Sequence, residues 1–580
     1  MNTTNLKNQT NQAQAEQIIL EEQSFRPKGR FYLLTLLLVI FYITIAATVF
    51  GATIYIDPSY SGSTQNGSMS NPYNSWSKVT ISSGNTYLQK AGTTFNTSGG
   101  LSINGKTGVT IGSYGSGNKP RIVSSGSSNH IINISSSSGV TVKDIEITST
   151  GNSTTGVIIQ GTNAGNNTIN NTLIHKVGWG VRIITTSGGN KILKSTVHDT
   201  KDDGIYIKDA SSIEIGFCTI YDVNKKYLQN TDESYSSGDG IQMASTNNLV
   251  FNIHDNIIDH SSMGNKFCII AWGNNYSGTI ERNTIIGAIN KNTSGIYLSP
   301  TTKTVTVRYN SIRSGEYGIY SYAKTDAYYN VFSNNKVGVH TMQNYSYTSR
   351  NNVYYNNSTI GVSSASSTSL NLKNNIFYIS GSAKAIKYSG SISSNNNVFN
   401  SAQSGFINSY TSITAWRNAS NNDRNSVVGN PAFVNPSNND FHLQSSSVAI
   451  NKGVNVSLVK DFFGGTVPMS GAPDAGVHEY NGTKSGQMVA EGDSLIQMLE
   501  GEMTVYPNPS IDGRFSIKLG KLYEKTDIEV FDVTGRIVKK TTATMTAEPT
   551  LDMTTAPNGA YLIRVDTGGE KKVLKAIKNE

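Results

Sequence analysis

Acidic side chains crowd one stretch of this sequence: residues 199 to 259 hold eleven Asp or Glu and four Lys or Arg, whereas residues 282 to 424 hold three acids and thirteen Lys or Arg. Carboxylates gathered beside a basic flank suit a hard cation such as Ca²⁺, with a polyanion laid across it. Two of the acids, Asp203 and Asp239, each precede a glycine and an apolar residue, in Gly204-Ile205 and Gly240-Ile241. Brought together on neighbouring parallel strands, such carboxylates stand about 4.8 Å apart and repel unless one is protonated or a cation lies between them. Asp-Gly is equally a turn dipeptide, so turn formation and a metal or catalytic role both fit the pair. His198, His260 and Lys266 fall near the same segments and are the candidates for moving a proton. A histidine in a turn is also an ordinary hydrogen-bonded surface residue.

What must position these groups is a repeat. Ten times between residues 170 and 400 the chain returns to Asn or a small residue, any residue, then an apolar one: Ile174, Val197, Ile220, Ile258, Ile285, Ile312, Phe332, Tyr354, Phe377 and Phe399. Most intervals run from 20 to 27 residues, and each carries a second apolar pair after a glycine, as in Gly295-Ile296 and Gly318-Ile319. A period of this length without a helical stripe predicts a solenoid of short parallel strands, in which each turn buries its apolar residues only by stacking on its neighbours. Ile312, Phe332, Tyr354 and Phe377 should then form one inward stack. The anchor asparagines Asn310, Asn330, Asn352, Asn375 and Asn397 should form an amide ladder with no catalytic meaning.

Aligning the turns sorts side chains into columns. The residue before the second-strand glycine is Trp179, Asp203, Asp239, an undefined position near Lys266, then Ser294, Tyr317 and Val337. The residue after the second anchor should point outward by alternation: Arg182, Tyr206, Gln242, an undefined position near Ile270, Tyr297, Tyr320 and His340. Such a ladder could stack on sugar rings and hydrogen-bond their hydroxyls, or be plain surface. A third column follows the first anchor, His175, His198, Tyr221 and Asp259. One turn is long, 38 residues from Ile220 to Ile258, and its surplus, Asn224 to Gly238, either walls a site beside Asp203 and Asp239 or is a tolerated excursion.

Composition agrees with a thin core and a long polar perimeter: 37% of the 580 residues are hydrophobic and only 15% charged. Disorder is disfavoured by that low charge and by β-branched and aromatic residues recurring in register. Arg26, Lys28 and Arg30 precede an apolar run from Phe31 to Val49 with small residues after it, which predicts a cleaved export signal, a retained anchor being the alternative. Cys218 and Cys268 are too few for a disulfide framework and are expected to be buried thiols. No phosphate loop, zinc-spaced His/Cys set or nucleophile elbow occurs, and no nucleic-acid partner is expected.

The repeat region, with the opening segment Thr53 to Trp76 and the closing segments Asn430 to Gly453 and Pro473 to Tyr480, resembles the right-handed parallel β-helix proteins of the pectate-lyase type. The closing segments are expected to be end caps. The motifs VYPNP (505 to 509), GRF (513 to 515), IEVFDVTGR (528 to 536), NGAYLIRV (558 to 565) and KKVLK (571 to 575) resemble, in order, the type A sorting domain of the type IX secretion system. The expected class is therefore all-β: a leader and signal at 1–52, a right-handed parallel β-helix with end caps at 53–480, a linker at 481–501, and a small β-sandwich sorting domain at 502–580. These resemblances imply export across both membranes by the type IX machinery, and a monomer that meets a polysaccharide outside the cell.

A polysaccharide lyase acting on an acidic glycan is the leading expectation. Asp203 and Asp239 would hold Ca²⁺, Lys266, His198 or His260 would be the base, and Arg182 would bind the uronate carboxylate, with Tyr206, Gln242, Tyr297 and Tyr320 along the chain of sugars. A glycoside hydrolase using the two aspartates and a non-catalytic glycan-binding or adhesive surface protein are the alternatives.

Overall fold

A computed structural model describes residues 51–482 and 503–579, apart from 126–128, 152–153, 224–237, 263–266, 290–292, 343 and 470 and, in the C-terminal part, 507, 509, 511–512, 520–522, 547–548 and 568–570. The apolar run from Phe31 to Val49, Lys266 and nearly all of the long-turn surplus lie outside the described residues.

Each turn contributes up to three short strands, one to each of three faces. Asn190–Leu193, Thr196–Thr200 and Ile205–Ala210 make one turn, and Ser212–Gly216, Thr219–Tyr221 and Ile241–Ser245 repeat it. Face A is the stack containing Ile205–Ala210, face B the stack containing Asn190–Leu193, and face C the stack containing Thr196–Thr200. The strand pairings between turns are parallel and hold register, Val197 to Ile220 to Ile258 on face C and Ile205 to Ile241 to Ile269 on face A, except that Ser294–Arg308 shifts against Tyr317–Tyr328 between Leu298 and Thr304. Face C has 14 strands among the described residues, while faces A and B join into one sheet because Ser294–Arg308 and Tyr317–Tyr328 run through the corner between them. The expected right-handed parallel β-helix is the observed fold.

The inward columns explain the repeat. Ile174, Val197, Ile220, Ile258, Ile285 and Ile312 are fully buried, and the anchors then become aromatic. Phe332, Tyr354, Phe377 and Phe399 stack with ring centroids 5.1, 4.8 and 5.4 Å apart and interplanar angles of 10, 7 and 11°. The glycine that opens each face A strand is required by crowding: a Cβ on Gly180 would lie 2.3 Å from the Gly204 carbonyl oxygen and 2.4 Å from Val197 Cγ1. The asparagine ladder is present, with Asn310 N–H and Nδ2 both donating to Asn330 Oδ1 at 3.0 and 2.9 Å, and the pattern continues through Asn352 and Asn375 to Asn397. Every member is wholly buried. Cys218 occupies the same slot and passes the ladder on by donating its N–H to Asn256 Oδ1 at 2.9 Å. Cys218 and Cys268 are both free and buried, and burial pushes the Cys218 thiol up to about 12.

The closing segments differ from the expected end caps. The open end is plugged by the helix Ile413–Ser420, whose Trp416 is buried in the main core and donates to Asp423 Oδ2 at 2.9 Å. Residues 430–480 instead lie along the flank, where Phe433, Phe441 and Val477 cover Val331, Val353, Ile376 and Val398. Those four precede the aromatic anchors, so alternation turns them outward and leaves an apolar stripe to be covered. Asn374 holds this strap from both sides, accepting from Val454 N–H at 2.9 Å and donating to Val454 O at 2.8 Å.

The last segment is the expected sandwich. Thr504–Tyr506, Arg514–Lys518 and Thr550–Asp552 form one antiparallel sheet; Tyr523–Asp532, Ile537–Thr546, Gly559–Asp566 and Lys571–Lys578 form the other. Phe515, Ile517 and Leu551 from the first share a core with Val530, Ile563 and Leu574 from the second. Among the described residues no helix is long and apolar enough to cross a membrane.

Candidate functional site

The outward column of face A is in register throughout, Arg182 to Tyr206 to Gln242 to Ile270 to Tyr297 to Tyr320 to His340. It extends beyond the sequence-derived set to Ser363 and Lys387. The position left undefined is Ile270, and the undefined member of the preceding column is Phe267, which pairs with Ser294. Arg182 lies between aromatic faces, its guanidinium carbon 4.8 Å from the Trp179 ring and 5.7 Å from the Tyr206 ring. Its Nε is buried with no hydrogen-bond partner.

Around Tyr297 the ladder widens into a platform. Trp272 is 56% exposed and stacks on Tyr297 at 6.0 Å and 19°; Phe267 packs against the same ring at 4.9 Å. Tyr320 meets Tyr297 at 5.7 Å, Tyr317 at 5.0 Å and His340 at 5.4 Å, and its hydroxyl lies 3.2 Å from that of Tyr322. Trp272 and Tyr322 escaped the sequence analysis, although each sits two residues beyond a ladder position, where alternation brings a side chain back to the same surface. Partial burial raises the phenols of Tyr297 and Tyr320, and for Tyr206 burial is reinforced by the neighbouring Asp203 carboxylate. Burial lowers the His340 imidazole. Near neutral pH this surface therefore offers uncharged hydroxyls and an uncharged imidazole between two cations, Arg182 and Lys387.

Asp203 and Asp239 are on adjacent turns at the corner leading into face A. They are 3% and 5% exposed. Asp203 Oδ1 accepts the Asp239 N–H at 2.7 Å, and Asp239 Oδ1 accepts the Phe267 N–H at 2.8 Å. One oxygen of each carboxylate thus satisfies the backbone of the following turn, as the anchor asparagines do at another corner. Ca²⁺ takes six to eight oxygens, and neither aspartate belongs to a group of three potential ligands among the described residues. The arrangement fits a turn-capping device better than a cation cage.

The third column is also in register, His175 to His198 to Tyr221 to Asp259 on face C. Three of its rings stack, His175 on His198 at 5.1 Å and His198 on Tyr221 at 4.7 Å. His198 Nδ1 lies 2.9 Å from Asp199 Oδ2, and His175 Nε2 lies 3.0 Å from Glu146 Oε1. His198 is thus around a corner from the aromatic ladder, facing out from a different sheet. His260 is wholly buried beneath Gly240, where a Cβ would stand 3.1 Å from its Nε2. That placement corrects its candidacy as a base, because the ring opens onto neither outer surface.

Residues 180–353 match the family described as right handed beta helix region, and residues 504–579 match the secretion system C-terminal sorting domain. The chain is a right-handed parallel β-helix protein with a type IX sorting domain, which directs it to the cell surface or the extracellular space. Comparison with curated proteins gave no match. Similar solved structures include a GH136 lacto-N-biosidase from Eubacterium ramulus, at 14% identity over 59% of this chain and 68% of that one with a TM-score of 0.36. Others are pectate lyase Pel9A (15% identity, 75% and 98%, TM-score 0.34) and the periplasmic alginate epimerase AlgG (15%, 53% and 76%, 0.32).

Proposed function

We propose that this exported β-helix protein binds a polysaccharide along face A, with sugar rings laid on the Trp272, Tyr297 and Tyr320 platform. The observation that carries the proposal is this run of rings on one outer sheet, Tyr297 and Tyr320 half-buried in register and Trp272 exposed beside them. Aromatic faces bury the apolar side of a sugar, while phenols and Gln242 meet its hydroxyls. An acidic glycan suits the surface best. Arg182 has an unsatisfied buried Nε, and Lys208 and Lys387 belong to face A strands on either side of the platform. Calorimetric titration of the full chain with neutral and uronate-containing polysaccharides tests the idea. Saturable binding to the uronate polymers that is lost in a Trp272→Ala/Tyr297→Ala variant of unchanged melting temperature supports it; equal binding by that variant sinks it.

Cleavage by elimination is the second reading, favoured by Arg182 standing beside the corner of Asp203 and Asp239. A uronate held by Arg182 would lose its C5 proton to a base as the C4–O bond breaks, leaving a C4–C5 double bond and a free hydroxyl on the departing chain. His198 faces out from face C, around a corner from Arg182, so Lys266, which lies outside the described residues, is the base left to this reading, and Ca²⁺ at Asp203 and Asp239 remains part of this proposal alone. Absorbance of unsaturated uronate ends, followed with and without Ca²⁺, distinguishes a lyase from a binder. New reducing ends without that absorbance would indicate the hydrolase alternative.

A further inference from the structure

Face C carries a second cluster that glycan binding does not use. His175 and His198 occupy the same position on neighbouring strands, Leu173–Val177 and Thr196–Thr200. The residue after each histidine adopts a left-handed conformation, with φ of +54° at Lys176 and +52° at Asp199. That turn swings the Asp199 carboxylate back onto the His198 ring at 2.9 Å. As a result one ligand atom each from His175, His198 and Asp199 lies within 4.8 Å of the others. We propose that these three side chains form a binding site for a divalent transition-metal ion of the zinc class.

The donor set decides the metal. Two imidazoles and one carboxylate are ligands for Zn²⁺, Ni²⁺ or Cu²⁺, while Ca²⁺ and Mg²⁺ prefer oxygen throughout. Three protein ligands leave a fourth position for water, and side-chain exposures of 13, 16 and 15% leave the cluster open to an entering ion. An outer layer is already in place. Glu146 Oε1 holds His175 Nε2 at 3.0 Å and is itself held by Arg121 Nε at 2.8 Å, while Tyr221 packs flat on the far side of His198. Partners of this kind fix ring orientation at metal centres. Bonds of about 2.0–2.1 Å place tetrahedral ligands roughly 3.3 Å apart, so on binding the direct contact of His198 with Asp199 at 2.9 Å must open and the parallel His175 and His198 rings must tilt toward one ion. The ion would then staple one turn of the solenoid to the next, on a different face from the sugar platform, and His198 would be a ligand rather than a base.

The test uses the full chain without a histidine tag, stripped with chelator and titrated with Co²⁺ and with Zn²⁺. One equivalent of Co²⁺ should bind with visible d–d absorption and be displaced by Zn²⁺, and Zn²⁺ should raise the melting temperature. His175→Gln and His198→Gln should each weaken binding at least tenfold, and Glu146→Gln, which touches only the outer layer, by about 10–100-fold. Absence of a stoichiometric complex in the wild-type chain, or undiminished binding in the His175→Gln/His198→Gln double variant, overturns the proposal. Should that double variant fail to fold, undiminished binding by Asp199→Asn overturns it equally. Polysaccharide titrations repeated in chelator separate the two ideas: glycan affinity should not change when the metal is removed.

Discussion

Two stacks of rings run along this solenoid, one inside and one outside, and they are built by the same device. A residue repeated once per turn on a parallel sheet is placed beside its counterpart whatever its chemistry. Inside, Phe332, Tyr354, Phe377 and Phe399 hold interplanar angles of 7 to 11°. Outside, the angles are mixed: Tyr297 and Tyr320 meet at 53° and Tyr320 and Tyr322 at 73°, while Tyr320 and His340 meet at 12° and Trp272 and Tyr297 at 19°. Close packing on all sides forces parallel rings in the core. On the surface neighbours press from fewer sides, and the rings take parallel and tilted arrangements alike. The inner stack spends its register on stability; the outer one keeps its faces available to a ligand.

Substitutions should separate the two roles. Phe377→Ala opens a cavity in the inner stack and should cost about 3–5 kcal/mol in chemical denaturation while leaving glycan affinity of the folded protein unchanged. Asn352→Ala removes an amide that accepts from Asn330 and donates to Ala327 O at 2.9 Å. Stranding those buried groups should cost about 2–3 kcal/mol by the same measurement. Tyr297→Ala should do the reverse, costing about 1 kcal/mol or less in stability and weakening polysaccharide binding about tenfold, equivalent to about 1.4 kcal/mol. If Tyr297→Ala destabilises as much as Phe377→Ala, the contrast between the stacks is false.

The smallest effect is expected where neither stack reaches, in the strap along the flank. Burial raises the Glu479 carboxyl to about 7, with Asp474 and Asp461 adding to it, and lowers the His478 imidazole to about 3. Between the ordinary carboxylate value near 4.5 and about 7, the folded state keeps a proton on Glu479 that the unfolded state has lost, so stability falls as pH rises. His478 works in the opposite sense: from about 3 to the ordinary 6.5 the unfolded state holds a proton that the folded state lacks, so stability rises with pH. The slopes oppose one another between about 4.5 and 6.5. Removing the Glu479 contribution, Glu479→Gln should make the melting temperature rise more with pH across this window than it does in the wild-type chain. A flat profile in that variant would refute the opposition.

Much of this was legible in the residues because one rule, alternation along strands of fixed perimeter, generates both stacks. Ile312 to Phe377 pointing inward and Arg182 to His340 pointing outward followed from spacing alone. Trp272 was missed for want of carrying alternation one step further, and Phe267 because the turn before it has a different length. Partnerships such as Glu146 with His175 join side chains 29 positions apart, and nothing in their local sequence announces them. The flank strap was misjudged for a related reason: Val353 and Ile376 stand beside buried anchors and look like core, yet face outward and need a cover from a segment that begins more than 50 residues later.

That cover has a consequence for how the chain is made. Residues 430–480 are the last part of the β-helix to leave the ribosome, so every earlier turn exists for a time with Val331, Val353, Ile376 and Val398 bare. A stripe of this kind on a parallel sheet invites association with another unfinished chain. Asn374, with its backbone and amide groups bonded to Gly476 and Val454 at 2.7 to 2.9 Å, is the clasp that ends the hazard. A nick or premature stop near residue 430 would leave the solenoid wound and its side adhesive, converting an exported molecule into one prone to clump before it leaves the cell.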